Sequence, residues 1–358
     1  MAHSTHGGTW RYKDILPAIG FGIPASAARP ARPLALQKCT ALASHICMEQ
    51  SDNQQMITGI LWDASGKNMK YSYSKLAKIR FYMAYLGHKL MVPLEVRQPR
   101  LHFAVYEAMY TTCKFLDYYS QLAYPFHEEV IVTRFGKFAI QRGTSDAAGV
   151  SPAYERSDVN YLLALTGRLL ARGRRVLFLD IGADIGMFST TMLNRFPSPA
   201  LRAAAFEPMP RSFSLLRRNL DMNGHEEGGR VKLFNCAVGQ QVDERVQIFF
   251  DPTAPGSSGA AHSNATNKQI EVEGQTLDKL VFDQVETCDD VIMKIDVEGM
   301  EIAVLKGAER ILASGRGVYL MIEDFVEPAI LAYLESSPLR FLAKRTDYNS
   351  WWTTAPET

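Results

Sequence analysis

The chain has 358 residues, of which 47% are hydrophobic and 22% are charged, as is typical of a globular protein. The formal net charge of only +1 argues against the basic surface with which proteins hold nucleic acid, so we expect no nucleic-acid partner. The five cysteines form no Cys-x-x-Cys pair, no apolar run is long enough to span a membrane, and the N-terminus lacks a signal-peptide pattern. These features predict a cytoplasmic protein.

Two segments precede the main domain. Residues 1–55 are rich in His, Gly, Ala and Pro without sustained periodicity, which predicts a disordered tail, although the absence of Asp and Glu from 15–48 leaves a transit peptide open. Residues 56–127 are predicted to form a basic, aromatic-rich helical extension. Within it, 67–100 hold eight Lys or Arg and one acid with apolar residues at helical spacing, and a second helix follows over 101–122. The extension either packs on the main domain or serves as a platform for an acidic substrate or a membrane surface, with the peripheral membrane contact through 67–100.

From residue 128 onward, segments typical of strands alternate with segments typical of helices. A hairpin is predicted over 130–141, and the strands that follow are 176–180, 202–207, 231–238, 291–296 and 318–324. The helices are predicted over 153–171, 186–195, 210–222 and 300–313. Because these strands are almost continuously apolar, we expect a mostly parallel sheet with helices on both faces, which is a doubly wound α/β domain.

An insertion separates the third of these strands from the fourth. It holds two predicted strands, 245–250 and 270–274, joined by the polar loop Asp251–Lys268. His262 in this loop is a candidate substrate contact. After the insertion and the last two strands above, the sheet is expected to end with strands over 339–344 and 349–354.

Acidic side chains end four of the predicted strands, namely Asp180, Glu207, Asp296 and Glu323. A helix N-cap or a turn would explain any single one of them. In an open α/β sheet, however, ligands bind beyond the carboxyl ends of the strands, so four acids at that edge predict a ligand site.

The segment LDIGADIGMFS supplies a glycine turn after the first of these strands. Gly182 and Gly186 let the backbone pass close to a ligand, but Ala183 and Asp184 interrupt the dinucleotide pattern Gly-x-Gly-x-x-Gly. Asp180, just before the turn, repels a pyrophosphate and attracts a cationic ligand. The turn therefore favours S-adenosylmethionine over NAD, and its candidate cofactor contacts are Asp180, Gly182, Ala183, Asp184 and Gly186.

Three further positions complete the predicted cofactor pocket. Glu207 closes the second strand, where a carboxylate accepts hydrogen bonds from ribose hydroxyls. Asn235 and Ala237 end the third strand and are candidate neighbours of the adenine ring, although Asn is also common in turns.

The segment KIDVEGMEIAVLKGAERIL places Lys294, Asp296, Glu298 and Glu301 within eight residues. A solvated helix start explains Glu298 and Glu301, but it does not explain Lys294 and Asp296 between apolar residues of a buried strand. Lys294 is therefore a candidate ion-pair partner or substrate anchor, and Asp296 a candidate general base. Glu298 and Glu301 are candidate substrate contacts.

Glu323 is grouped with Lys294 and Asp296 as a candidate catalytic residue. No metal site is predicted, but Asp296, Glu298 and Glu323 would hold Mg²⁺ if they converge.

The segments LDIGADIGMFS, AFEPMPRSFSLLRRNL, LFNCAVG, TLDKL and KIDVEGMEIAVLKGAERIL, in this order, resemble the FkbM family of S-adenosylmethionine-dependent methyltransferases over about Ile131–Trp352. The resemblance implies a domain over 128–358 with a seven-stranded class I (Rossmann-like) sheet and an antiparallel last strand. It also implies O-methylation of a hydroxyl on a sugar, glycan or natural product. The family's cofactor positions correspond to Asp180, Gly182, Gly186 and Glu207, and Asp184 stands where the family usually has Asn.

Together these features predict in-line transfer of a methyl group to a hydroxyl-bearing acceptor, with Asp296 accepting the proton. Two alternatives remain open. One is a non-catalytic adenosylmethionine-binding domain tethered to a membrane or a protein partner. The other is a nicotinamide-dependent dehydrogenase, which Asp180 and the missing third glycine disfavour.

Overall fold

A computed structural model of the chain describes scattered positions between 83 and 94 and the segments 97–112, 130–141, 144–151, 154–251, 254–260, 268–324 and 329–356. The predicted tail, most of the predicted basic helix and His262 lie outside the described residues. None of the helices in the described segments is long and apolar enough to cross a membrane.

Helices and strands alternate through most of the described chain. The helices are α1 (Pro99–Thr112), α2 (Asp146–Gly149), α3 (Arg156–Ala171), α4 (Met187–Arg195), α5 (Pro210–Met222), α6 (Leu277–Val285), α7 (Glu301–Lys306), α8 (Glu309–Leu312) and α9 (Ile330–Ser336). The strands are β1 (Val130–Thr133), β2 (Gly136–Ala139), β3 (Val176–Ile181), β4 (Leu201–Phe206), β5 (Val231–Phe234), β6 (Ala237–Val238), β7 (Glu244–Asp251), β8 (Ala254–Gly259), β9 (Lys268–Gln275), β10 (Asp290–Ile295), β11 (Gly317–Glu323), β12 (Arg340–Lys344) and β13 (Asn349–Thr353).

The central feature is a seven-stranded sheet with the strand order β12-β13-β11-β10-β3-β4-β5. The pairings β11–β10, β10–β3, β3–β4 and β4–β5 are parallel, whereas β13 is antiparallel to both of its neighbours, β11 and β12. The sheet is therefore mixed. It contains the seven strands predicted for it and, as the family resemblance implies, an antiparallel last strand.

Both faces of this sheet are covered, because its central strands are apolar on both sides. Every residue of β3 and β10 is buried. Phe178 and Ile292 lie in a core shared with α3, α4 and α5, whereas Leu177 and Met293 lie in the opposite core, shared with α6 to α9. Burying a side chain of this size contributes roughly 1.5–3 kcal/mol. Packing on both faces therefore holds the sheet, and the residues at its edge, in fixed positions.

A buried carboxylate joins α3 to the last strand. Asp158 is fully buried and accepts hydrogen bonds from Nε1 of Trp351 (2.7 Å) and from the hydroxyl of Thr346 (2.7 Å). Trp351 also packs edge-to-face on Tyr161 of α3. A buried charge is tolerated when its oxygens are paired in this way, so Asp158 fixes α3 against β13.

The insertion forms a four-stranded sheet with the order β6-β9-β7-β8. The sequence predicts only a polar loop between β7 and β9, and this prediction was wrong, because β8 pairs antiparallel with β7. The Pro, Gly and Ser residues of β8 carry no strand signal. Close packing accompanies the strand instead, since a Cβ on Gly259 would collide with the Cβ and carbonyl group of Glu298.

Two predicted elements are divided in the structure. The predicted strand 231–238 becomes β5 and β6, which belong to different sheets. The predicted helix 300–313 becomes α7 and α8 on either side of Gly307. A Cβ on Gly307 would collide with the carbonyl oxygen of Gly239, so the break lies where two backbones touch.

Candidate active site

A pocket opens at the carboxyl ends of β3, β4 and β10, the edge at which open α/β sheets bind ligands. It encloses about 930 Å³ of space between protein atoms, including the open solvent at its mouth. The turns after β3 and β10, the end of β4, β6 and the insertion strand β8 line it. The predicted site residues in its wall are Gly182, Ala183, Asp184, Glu207, Ala237, Lys294, Asp296 and Glu298.

The glycine turn between β3 and α4 has a left-handed backbone. Gly182 and Gly186 have φ angles of 77° and 84°. A Cβ on Gly182 would collide with the carbonyl oxygen of Asp296, so glycine is needed for β3 to approach the end of β10. A Cβ on Gly186 would lie 2.5 Å from Cδ1 of Leu216 on α5. Gly186 lies outside the pocket wall, where it serves the packing of α4 on α5, and its cofactor contact stays a prediction.

Asp184 lies between these glycines with a φ of 46°. Asn and Asp tolerate the left-handed region better than most other residues, which explains how Asp is accommodated where the family usually has Asn. Burial, followed by the charge of Asp146, raises the pKa of Asp184 to about 6. Its carboxyl group is therefore half-ionised near pH 6 and mostly ionised at neutral pH.

Glu207 follows β4 and is buried. It accepts hydrogen bonds from the backbone N–H groups of Asp184 (2.9 Å) and Met209 (2.8 Å), one on each carboxylate oxygen. Burial and then the charge of Asp184 raise the pKa of Glu207 to about 8. Each oxygen of a carboxylate has a second acceptor site. Glu207 therefore fixes the glycine turn and retains the capacity to accept a ligand hydroxyl.

Asp180 and Asn235 do not line the pocket. Asp180 is fully buried in β3 and accepts hydrogen bonds from the backbone N–H (3.0 Å) and hydroxyl (2.6 Å) of Ser189, which anchor the first turns of α4. Asn235 is exposed and donates to the carbonyl oxygens of Glu207 (2.8 Å) and Pro208 (3.1 Å). Both residues support the walls of the pocket, and a direct cofactor contact for either stays a prediction.

Lys294 is the centre of the charge network. Its Nζ donates to the carbonyl oxygen of Gly182 (2.7 Å) and lies 3.2 Å from Oδ2 of Asp296 and 3.9 Å from Oδ1 of Asp180. Burial lowers the pKa of Lys294, but the carboxylates of Asp296, Asp180 and Glu155 outweigh burial and raise this pKa above its usual range. The structure thus gives Lys294 the geometry of an ion-pair partner.

Asp296, Glu298 and Glu323 converge beside this lysine, with one oxygen of each within 4.8 Å of the others. Burial and then neighbouring carboxylates raise the pKa of Glu298 to about 7 and that of Glu323 to about 9. Glu301 is fully buried and accepts hydrogen bonds from backbone N–H groups of the turn after β10 (3.2 and 3.1 Å). Glu301 therefore shapes the turn that carries Glu298, and its role as a substrate contact stays a prediction.

Several residues of the site are missing from the sequence-based prediction. Tyr154, Phe188 and Cys236 line the pocket, and the ring centre of Phe188 lies 5.4 Å from Nζ of Lys294. Glu155 interacts with Asp296 and Lys294, and burial raises its pKa to about 8. No motif marks these positions, because they enter the site from the start of α3, from α4 and from the segment between β5 and β6.

Left-handed backbone is concentrated around the pocket. In the described part of the chain, the non-glycine residues with positive φ are Glu155, Asp184, Asp243 and Glu298. Asp184 and Glu298 line the pocket, and Glu155 interacts with its residues Asp296 and Lys294. Such a conformation costs of the order of 1 kcal/mol or more and is frequent at functional sites. The backbone thus marks the same region as the side chains.

The mixed seven-stranded sheet, the glycine turn after its central strand and the acidic groups at the carboxyl ends of neighbouring strands are the features expected of a Rossmann-like class I methyltransferase fold. Residues 180–336 match the methyltransferase FkbM domain. This match confirms the resemblance of the sequence to the FkbM family of S-adenosylmethionine-dependent methyltransferases.

Three relatives illustrate the match. Over 149 residues the chain is 30% identical to Methyltransferase 1 of Beauveria bassiana, covering 37% of this chain and 57% of that protein. It is 28% identical over 158 residues to the 31-O-demethyl-FK506 methyltransferase FkbM of Streptomyces tacrolimicus (36% and 58% covered). It is 29% identical over 152 residues to the hexuronic acid methyltransferase AglP of Haloferax volcanii (42% and 56% covered). The chain thus spans less than two thirds of the length of these relatives.

Among solved structures, the FkbM methyltransferase of Methylobacillus flagellatus KT is similar with a TM-score of 0.34 and 16% identity. That match covers 49% of this chain and 42% of the other.

Proposed function

We propose that this protein is an S-adenosylmethionine-dependent O-methyltransferase that acts on a hydroxyl-bearing small molecule or glycan. The observation that carries the proposal is the juxtaposition of an acidic, glycine-edged pocket with the Lys294–Asp296 pair at the carboxyl ends of the central strands. A cationic methyl donor and a group able to take a proton from the acceptor are the two requirements of this reaction.

The charge of the pocket suits such a donor. Among the described residues of its wall, four acids accompany a single cationic side chain, Lys294, and the acids are Asp184, Glu207, Asp296 and Glu298. This excess of carboxylates favours a ligand with an amino group and a sulfonium and disfavours a pyrophosphate. The small residues Ala183 and Ala237 leave room beside Glu207 for a nucleoside. We therefore assign S-adenosylmethionine to this pocket and disfavour NAD.

When bound, S-adenosylmethionine supplies a methyl group that an oxygen nucleophile accepts in line with the departing sulfur. The residues of this chain hold the acceptor and take its proton. Asp296 keeps 22% of its side chain exposed and lines the pocket, so an acceptor hydroxyl can reach it. Lys294, 3.2 Å away, keeps Asp296 oriented by its charge. Proton transfer to Asp296 thus accompanies formation of the new carbon–oxygen bond.

The class of acceptor is proposed from the relatives. One carries 31-O-demethyl-FK506 in its name, and another carries hexuronic acid. The first name specifies an oxygen atom as the methylated position and the second a sugar acid, and the polar groups at the Asp296 end of this pocket suit such acceptors. A sugar, glycan or polyketide with free hydroxyls is therefore the acceptor we propose.

The cofactor assignment is tested by ligand-induced stabilisation of the full chain. We expect S-adenosylmethionine to raise the melting temperature and NAD to leave it unchanged, since a ligand at about 100 times its Kd adds about 2.7 kcal/mol to the stability. Stabilisation by NAD alone would favour the dehydrogenase alternative.

The transfer itself is tested with methyl-labelled cofactor, candidate glycans and cell extracts, followed by mass spectrometry of the methylated product. Asp296→Asn is expected to lower kcat by about 10²–10⁴-fold. Asp289→Asn is the matched control, because Asp289 is at the opposite end of the sheet, where it pairs with the exposed Arg175. Cofactor binding without any transfer would support a non-catalytic domain, and undiminished turnover of Asp296→Asn would remove Asp296 from the mechanism.

A further inference from the structure

We propose that Asp296, Glu298 and Glu323 bind one hard divalent cation, such as Mg²⁺, Mn²⁺ or Ca²⁺, at the acceptor end of the pocket. Ion binding by these residues stands independently of methyl transfer. The placement of the ion beside an acceptor oxygen rests on the proposed function. The ion uses one oxygen of each carboxylate, so the second oxygen of Asp296 is the one that takes the acceptor proton.

The geometry of the three carboxylates fits an ion of this kind. They come from three places, the end of β10, the turn after it and the end of β11, yet one oxygen of each lies within 4.8 Å of the others. Oxygen ligands on opposite sides of an ion are about 4.2 Å apart for Mg²⁺ and about 4.8 Å for Ca²⁺, given bond lengths of about 2.1 and 2.4 Å. Ligand sets made only of carboxylate oxygens favour Mg²⁺, Ca²⁺ or Mn²⁺ over softer metals.

The second observation is the state of Glu323 itself. Only 9% of this residue is exposed, and its Oε2 is buried with no hydrogen-bond partner among the residues that the structure describes. A buried carboxylate oxygen is normally paired or bound to a metal ion, because burial without a partner is costly. The orphaned side chain lies in the same group as Asp296 and Glu298 and points to a cation among them.

Cationic side chains of the protein do not take the place of a metal ion here. Among the described residues, Lys294 is a cationic group whose charge acts on Glu298 and Glu323, but its ion pairs are with Asp296 and Asp180. Glu323 therefore has no ion pair of its own among the described residues. A divalent ion supplies two positive charges at the place where they are lacking, and it retains open positions for water or for an acceptor oxygen.

The test uses the full chain, freed of metal with a chelator and then dialysed. Titration calorimetry with MgCl2, MnCl2 or CaCl2 alone, supported by the loss of the free Mn²⁺ electron-spin resonance signal, is expected to show one ion per chain. Glu323→Gln and Glu298→Gln should each weaken ion binding by about 10–100-fold or more. Even substitutions of residues that only support the metal ligands have effects of this size. Glu335→Gln, on the exposed side of α9, is the matched control and should bind like the wild type.

A wild-type chain that binds none of the three ions at millimolar concentration would overturn the proposal, as would binding that is unchanged in both variants. If Glu323→Gln fails to fold by circular dichroism, Glu298→Gln decides, because Glu298 is only half-buried on a turn. S-adenosylmethionine is titrated separately in the presence of chelator. A chain that binds the ion but not S-adenosylmethionine would support the cation site and overturn the proposed function. A chain that binds S-adenosylmethionine but not the ion would support the proposed function and overturn the cation site.

Discussion

Gly182 lies where β3, the strand before the glycine turn, contacts the end of β10, where Lys294 and Asp296 lie. Its φ of +77° is in the left-handed region, and a Cβ there would collide with the carbonyl oxygen of Asp296. Gly173 offers a matched comparison, because its φ is +73° and a Cβ at that position would have no atom within 4 Å. The two glycines therefore share a backbone requirement, and only Gly182 has the steric one.

We expect Gly173→Ala to lower the free energy of unfolding by about 1–2 kcal/mol, the cost of a left-handed non-glycine residue. Gly182→Ala should lower it by clearly more and should also weaken S-adenosylmethionine binding, because β3 and the end of β10 must move apart. Denaturant unfolding and calorimetry on the two variants measure this difference. Equal losses of stability and intact cofactor binding in both would contradict the role given to Gly182.

Glu207 serves both the glycine turn and the pocket, through its contact with Asp184. The backbone N–H of Asp184 donates to Oε2 of Glu207 at 2.9 Å, so the carboxylate proposed for the ribose also holds the glycine turn in place. Substitution of Glu207 would therefore alter the shape of the pocket as well as its chemistry. For this reason the conservative Glu207→Gln change is preferable to a truncation in any test of its role.

At the level of elements, β8 covers one side of the pocket. Gly256 and Gly259 of this strand face Asp184 and Glu298 respectively. A Cβ on Gly259 would collide with Glu298, whereas a Cβ on Gly256 would lie 3.4 Å from Oδ2 of Asp184, which is close to ordinary contact. Gly259→Ala therefore tests the effect of displacing β8. Gly256→Ala tests the effect of an added methyl group alone.

Gly259→Ala is expected to displace β8 from the turn after β10 and to weaken ligand binding severalfold. Gly256→Ala should leave binding close to that of the wild type. Because β8 is an outer strand of the insertion sheet, neither change should alter the thermal unfolding of the main domain by much. Titration of S-adenosylmethionine into both variants checks the prediction, and equal affinities would mean that β8 does not form part of the ligand site.

The strands that could be predicted from the sequence are those whose apolar pattern is set by burial on both faces. β3 and β10 are examples, because all their residues are buried and the pattern needs no partner to be recognised. The acids that follow β4 and β10 then indicated the edge at which Glu207 and Asp296 line the pocket. Local sequence and fold agree at these places.

β8 and Glu155 could not be predicted, for a different physical reason. β8 has no apolar or β-branched run and is accompanied by tight contacts of its glycines with a turn about forty residues away. Glu155 has a left-handed backbone, with a φ of 39°, and reaches the Lys294–Asp296 pair only through tertiary packing. Asp180 shows the converse. Its position in the motif is right for a ligand contact, yet the fold buries it against Ser189.

For the whole molecule, the excess of buried carboxyl groups predicts an unusual dependence of stability on pH. The pKa values of Glu207 and Glu155 are about 8 in the folded chain, compared with an ordinary value of 4.5, chiefly because of burial. Between these values the folded chain holds protons that the unfolded chain has released. The contribution of both residues to stability is therefore full below about pH 4.5 and is lost as the pH rises through about 8. Asp289, whose pKa is lowered by hydrogen bonds from Arg175, acts in the opposite sense only below its ordinary value of 3.8.

We therefore expect the ligand-free chain, measured in chelator, to lose stability between about pH 5 and pH 8. A cationic ligand in the pocket favours the ionised carboxylates, so S-adenosylmethionine binding at pH 7 should release protons and should tighten as the pH rises. Calorimetry in buffers of different ionisation enthalpy measures the released protons directly. Glu207→Gln and Glu155→Gln should each reduce the release and flatten the stability profile, whereas the exposed Glu335→Gln should change neither. Proton uptake on binding, or a profile that rises from pH 5 to pH 8, would show that these carboxyl groups are not held protonated by the fold.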